Sequence, residues 1–225
     1  MTTRRAFDPA RTFRFAFARL LGRAALKASG IVIERGLDVI GVPIIERHPD
    51  SEIVVGHSVR LVSKSFATAL GVNHPVVLKT LAAGARIRIG DRVGISGGSI
   101  CAASYIEIDD DTMLGANVTI ADTDFHSLQP ALRSGHTPTT IGVAAVRIGK
   151  NAFIGTNAIV LKGVTVGDNS VIGAGSIVTK SIPANCIAAG NPCRVIRMLL
   201  PNELDGSQSY PGFQPLDNPT FSVSR

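Results

Sequence analysis

The chain has no tryptophan, and aromatic residues make up only 5% of its 225 residues. Hydrophobic residues nevertheless reach 45%, alongside 23 glycines. A core must therefore be built from Val, Ile, Leu and Ala, which suits repetitive parallel β-structure better than a globule of mixed elements. No apolar run approaches the roughly 20 residues of a membrane span, so a soluble body is expected. No apolar stretch precedes a small-residue cleavage site, so a secretory signal is not expected and a cytoplasmic location is. Cysteine is sparse: Cys101, Cys186 and Cys193 follow no metal-ligand spacing and leave one unpaired in any disulfide scheme. Reduced thiols are the plain expectation.

Acidic charge is missing from the N-terminus. Residues 1–30 carry seven basic side chains and one acid, Asp8, whereas residues 31–225 hold 16 of each sign. The net charge of +6 thus sits wholly at the start of the chain. Residues 10–28 fit a helix with Phe13, Phe17, Leu20 and Ala24 on one face and Arg19, Arg23 and Lys27 on its flank. Either this helix packs on the body, or it is a basic amphipathic helix resting on an anionic membrane surface at the inner face. An organelle transit peptide is the weaker third reading. Leu37–Ile45 is expected as a strand or cap, so that residues 1–50 form a basic helix-and-cap segment. The tail 198–225 reads as an extended arm from Pro201 onward.

What the sequence has in abundance is a six-residue rhythm. Val77, Ala83, Ile89, Ile95 and Cys101 keep it, then after one slip Ile108, Leu114 and Ile120, and later Ile148, Ile154, Val160, Val166, Ile172 and Val178. Val55 and Leu61 keep the same step, and glycine often follows the aliphatic. A period of six is neither a helix nor a plain alternation. It fits a short strand and a tight corner, repeated, with three hexads closing one triangular coil and aliphatics stacked inward. Mainly-β structure follows, a parallel β-helix over residues 51–197 of about five coils at the ~4.8 Å strand spacing. Cys101 falls on an aliphatic position and is expected to be a small buried hydrophobe.

The rhythm fails once at length, after "ADTDFHSLQP" (residues 121–130). The gap from His126 to Arg147 is expected as a protruding loop, and structureless loops of this size in compact domains usually serve function. His136 and Arg133 lie in it as candidate substrate contacts.

The segment "IGKNAFIGTNAIVLKGVTVGDNSVIGAGSIVTKSIPANCIAAGNPCRVIR" (148–197) closely resembles the hexapeptide-repeat acyltransferases. Among them it is most similar to sugar O-acetyltransferases: galactoside, maltose, nodulation and exopolysaccharide (colanic-acid type) enzymes. "TDFHSL" looks most like the polysaccharide-modifying members. The resemblance covers roughly Val76 to Arg197. It implies a left-handed coil, which periodicity cannot give, and a homotrimer with active sites between subunits. It also implies acetyl-CoA as co-substrate and a sugar or glycan-precursor hydroxyl as acceptor.

Acetyl transfer from a thioester needs a base for the hydroxyl proton and a donor for the developing oxyanion. Neutral imidazole suits the first role, and His126 matches the family's catalytic histidine ahead of the loop. Asp124 is a candidate to orient it; Asp122 is the other nearby carboxylate. Where galactoside-type members carry an asparagine that steadies the intermediate or the acceptor, "SGGSI" offers Gly98 or Ser99; either Ser99 or a backbone N–H takes that role, or the acceptor is held differently. For coenzyme A the resemblance carries over Thr156 and Ala174 near the pantetheine arm, Thr179 and Lys180 near the adenosine end, and Arg194 and Arg197 toward its phosphates. An N-acetyltransferase acting on an amino sugar or nucleotide sugar, or a xenobiotic-type acetyltransferase of the same fold, is the alternative. A γ-type carbonic anhydrase shares the implied fold but needs three histidines on zinc. Of His48, His57, His74, His126 and His136 only His126 is in the matching coil, so no metal is expected, nor is nucleic acid a partner.

Overall fold

Aliphatics at six-residue spacing can all be buried only if the backbone turns a corner after each short strand, and this backbone does. The computed structural model describes residues 9–133 and 140–207; His136, Asp8 and the tail beyond residue 207 lie outside them. A helix, α1 (Pro9–Ala28), precedes six coils of three strands each. The first coil holds β1 (Val32–Ile33), β2 (Asp38–Ile40) and β3 (Ile44–Arg47), the second β4 (Glu52–Val55), β5 (Arg60–Val62) and β6 (Val77–Thr80). The third is β7 (Arg86–Ile89), β8 (Gly94–Ser96) and β9 (Ser99–Ala102), the fourth β10 (Tyr105–Ile108), β11 (Met113–Leu114) and β12 (Thr119–Ala121). β13 (Val146–Ile148), β14 (Phe153–Ile154) and β15 (Ile159–Val160) form the fifth, β16 (Thr165–Val166), β17 (Val171–Ile172) and β18 (Ile177–Val178) the sixth. β19 (Cys186–Ala189) extends the second face, and β20 (Arg194–Met198) folds back on it antiparallel before a short α2 (Pro201–Leu204).

First, second and third strands of successive coils stack as parallel faces, here called A, B and C. The result is a left-handed parallel β-helix. Its register places side chains of like shape directly over one another. On face A, Ile33, Val55, Ile89, Ile108, Ile148, Val166 and Ile182 form one column. On face C the column is Ile45, Leu78, Ile100, Ile120, Val160 and Val178. Leu78, Ile100, Ile120, Val160 and Val178 are all fully buried. Continuous apolar columns with no aromatic layer are what a Val/Ile/Leu-rich composition can fill at native density.

Three expectations change. The ladder runs unbroken across residue 50: β1, β2 and β3 pair in parallel with β4, β5 and β6, so residues 32–47 are the first coil rather than a cap over it. The rhythm is out of phase at Cys101. Ile100 and Ala102 point inward and Cys101, between them, is half-exposed beside Lys79, because the Gly97–Gly98 corner is one residue short. Burial still raises the Cys101 thiol pKa, more than Lys79 lowers it.

The third concerns α1. It does pack on the prism, against β2, but through Ala18, Gly22 and Leu26, not through Phe13 and Phe17. A Cβ at Gly22 would lie 2.6 Å from the Gly41 carbonyl oxygen, so the helix reaches the sheet backbone only on its small-residue face. Arg19 then donates through Nε to Asp38 at 2.7 Å, and Arg60 reaches the other oxygen of the same carboxylate at 3.0 Å.

Candidate functional site

Face C ends in the fourth coil at Ala121, and the next residues do not make the usual short corner. Asp122 is fully buried. Its carboxylate accepts N–H groups from Ala103 at 2.6 Å and from Ser104 and Tyr105 at 2.7 Å, the equivalent corner one coil below. An ionised carboxylate in such a backbone nest is well satisfied despite its burial. Thr123 then pairs antiparallel with Val143, flanked by Asp124 N–H to Gly142 O at 3.0 Å and Ala144 N–H to Asp122 O at 2.9 Å. The chain therefore leaves and returns side by side. The excursion spans 124–142, shorter than the expected 126–147, since residues beyond Gly142 are already paired and β13 starts at Val146.

At the root of this excursion the backbone makes a γ-turn. His126 N–H donates to Asp124 O at 2.6 Å across Phe125, whose φ is 60°. A bulky aromatic in the left-handed region is a strained placement of the kind that collects at functional sites. Elsewhere among the described residues that region is taken at regular corners by Asn, Asp, Ser or Arg, besides glycine. The turn puts His126 out on the surface, in a shallow cleft with Phe125, Leu132 and Ile141. Arg133, a candidate substrate contact, is instead spent on the loop itself, donating to Ser127 O at 3.2 Å and Leu128 O at 3.3 Å.

The Asp124 carboxylate is turned toward the coil above. Lys162, at the same corner in the fifth coil, donates from Nζ to Oδ1 at 2.8 Å. Gly142 lies against this pair, since a Cβ there would stand 2.5 Å from Asp124 Oδ2 and 2.9 Å from Lys162 Cε and would displace the two side-chain ends. Asp122 and Asp124 thus hold the loop root from below and above.

Ser99 sits at the opposite edge of face C, at the corner leading into β9. In the ladder it lies beside Thr119, with His126 beyond the far end of β12. Its hydroxyl is 3.5 Å from His74 Nε2. His74 Nδ1 lies 2.7 Å from Pro75 O, a contact made by a protonated nitrogen, and in the neutral ring Nε2 is then the acceptor facing Ser99. His74 closes a second long corner, residues 63–76, with a 3-10 turn at Ser65–Ala67. Sequence reading missed both His74 and Lys162. The break in the count between Leu61 and Val77 was the available signal for the first; an ordinary-looking hexad offered none for the second.

The other matched positions fall into the same two columns beside face C. Thr156 and Ala174 stand at the corners entering it, with Ser99; Thr179 and Lys180 stand at the corners leaving it, with Lys162 and the root of the His126 loop. Ala174, Thr179 and Lys180 are exposed. The Thr156 hydroxyl donates to Ala116 O at 2.7 Å and is committed to the stacking of coils. Arg194 and Arg197 lie on β20. Both are exposed; Arg194 donates to Cys193 O at 2.8 Å and Arg197 makes a two-pronged pair with Glu203 at 2.6 and 2.7 Å. Among the described residues one group has metal-binding proximity, Glu34, His57 and Asp91. It holds a single histidine already bonded to both acids, on the corners between faces A and B.

A family model described as the hexapeptide repeat of succinyl-transferase matches residues 145–180. The galactoside O-acetyltransferase of Escherichia coli (strain K12) is 39% identical over 92 residues, 41% of this chain and 43% of that protein. The chain thus matches less than half the length of this curated relative. A galactoside acetyltransferase solved with coenzyme A has a TM-score of 0.52 at 24% identity, over 89% of this chain and 88% of that one. A variant of AntD, an N-acyltransferase from Bacillus cereus solved with dTDP-4-amino-4,6-dideoxyglucose and coenzyme A, has a TM-score of 0.61 at 16% identity, over 82% of this chain and 93% of that one. The chain carries hexapeptide repeats wound as a left-handed parallel β-helix, the fold of these acetyl- and acyltransferases.

Proposed function

We propose that the protein transfers an acetyl group from acetyl-CoA to a hydroxyl of a sugar or surface-polysaccharide precursor, with His126 as general base. The observation that carries this is the strained γ-turn that presents His126 at the edge of face C, clamped by Asp122 and by the Asp124–Lys162 pair. A scaffold with no chemistry to perform has no reason to hold a phenylalanine at positive φ in order to expose a histidine.

His126 takes the acceptor's hydroxyl proton as that oxygen attacks the thioester carbonyl, and returns it to the departing thiol. Acetyl-CoA supplies the activated acyl group. Ala174, Thr179, Lys180, Arg194 and Arg197 are the exposed positions that would hold it, the three cations meeting phosphates; Thr156 contributes through the fold, given its bond to Ala116 O. Asp124 positions His126 through its backbone carbonyl and its bond to Lys162.

Ser99 and His74 form the acceptor side. They stand a strand's length from the His126 corner of their own chain, so a site using both sets takes them from two subunits. That arrangement supports a homotrimer with sites at subunit boundaries. The identity to a galactoside O-acetyltransferase favours oxygen over nitrogen as the acceptor atom.

The test is acetyl-CoA turnover across sugars, nucleotide sugars and lipid-linked glycans, with His126→Ala beside the parent. Turnover on a hydroxyl acceptor, lost in the variant, is the expected result. Near-normal turnover by His126→Ala removes the base assignment, and turnover confined to amino sugars replaces the O-transfer reading.

A further inference from the structure

The helix that seats itself through Ala18, Gly22 and Leu26 leaves its other face uncovered. Phe13 is 69% exposed, Phe17 52%, Leu20 66% and Leu21 43%. With Ala24 they form a continuous ridge opposite the docked residues, and the Phe13 and Phe17 rings stack at 6.1 Å. Single exposed leucines are ordinary; four large apolar side chains along one helix face, two of them aromatic, are a patch that needs a partner. The charges beside it say which. Residues 9–28 contain no acid, and Arg14 lies on one side of the ridge with Arg23 and Lys27 on the other. Arg23 and Lys27 make no ion pair among the described residues, and Arg14 is held over the Phe66 ring at 5.4 Å.

We infer that α1 is a surface-membrane anchor: its ridge inserts among the lipids of an anionic bilayer while Arg14, Arg23 and Lys27 reach the headgroups. No helix of the described chain is long and apolar enough to cross a membrane, so the contact lies in the interface plane. The docking of the opposite face fixes the helix to the prism, so binding needs no folding step and carries the whole body to the surface.

The experiment is sedimentation of the full chain with vesicles of phosphatidylcholine alone or mixed with phosphatidylglycerol. Binding to the anionic vesicles is expected to be about tenfold stronger, and to weaken as salt is raised. Phe13→Ser with Phe17→Ser, or Arg23→Gln with Lys27→Gln, should remove most of it while circular dichroism and oligomeric state stay unchanged. Since the chain lacks tryptophan, Phe17→Trp gives a reporter whose emission should shift to the blue on anionic vesicles only. Equal sedimentation with both lipids, no sedimentation, or variants that sediment like the parent would overturn the inference. So would loss of oligomeric state in the Phe variant, because the ridge would then be covered by another copy of the chain.

Discussion

The corner that leaves face C is turned twice in succession in very different ways. Between the fifth and sixth coils residues 161–164 suffice, with Leu161 N–H donating to Val178 O in the coil above and Gly163 N–H to Ala144 O below. Between the fourth and fifth the chain spends residues 122–145 on the same change of direction. A buried carboxylate takes three N–H groups, a γ-turn holds Phe125 at φ 60°, and an antiparallel clamp closes the root. The short corner needs only a turn. The long one is over-determined, which is how a strained backbone persists in a folded protein. The difference teaches that the fold does not require the excursion; the exposed histidine does.

The comparison breaks most sharply at His126. His126→Ala should lower acetyl transfer by about 100-fold or more with stability unchanged, as the loss of a general base does; steady-state turnover and thermal unfolding measured together check it. Asp122→Ala should do the reverse. Three N–H groups lose the buried carboxylate that accepts them, and a destabilisation of about 3 kcal/mol is expected in denaturant midpoints. Substituting Thr179, on the plain corner of the sixth coil, should leave those midpoints within about 0.5 kcal/mol of the parent.

Lys162→Met is expected to sharpen the picture rather than erase it. The Asp124 pair is half-buried, so the stability loss should be about 1 kcal/mol. Because Lys162 acts by positioning, kcat should fall several-fold while KM for acetyl-CoA stays near its parent value, and Lys162→Arg should restore part of the rate.

The smallest effect is at the seat of α1, away from both corners. Burial pushes the Asp38 carboxyl pKa up, but Arg19 and Arg60 outweigh it and hold the group below the usual carboxylate range. A depressed carboxyl stabilises the folded state above its unfolded pKa of about 4, and that stability is lost as pH falls through the folded value. Acid titration should therefore loosen α1 only below about pH 4, by about 1 kcal/mol for a partly exposed pair. Limited proteolysis at α1 can follow it, and Asp38→Asn should abolish the dependence.

The period of six was readable because each inward aliphatic of a stacked coil answers to one residue in six, and Ile148, Ile154, Val160, Val166, Ile172 and Val178 keep that spacing from face to face. Cys101 was placed on the wrong side because the Gly97–Gly98 corner shortens the count by one, and a one-residue slip sends every side chain of a strand to its other face. The first coil was mistaken for a cap although Ile33, Val39 and Ile45 keep the step of six, because the count breaks between Ile45 and Val55. At the site, His126 was legible as the end of a rhythm and Ser99 as a departure from a resembled pattern. His74 and Lys162 were not, since their meaning lies in which corner stacks on which.

The sequence by itself determined the repeating strand-and-corner plan, the aliphatic core, the basic N-terminus and the histidine that follows directly on the Ile120 hexad where the plan is interrupted. All of these follow from residue type and spacing along the chain. Only the tertiary structure decided that Asp122 is locked into the coil below while Asp124 answers to Lys162 above, because coil stacking brings together residues 17 to 38 positions apart. Only it, too, decided which face of α1 is buried. Both faces are apolar enough to dock, and close approach to the Gly41 backbone selects the one that carries Gly22.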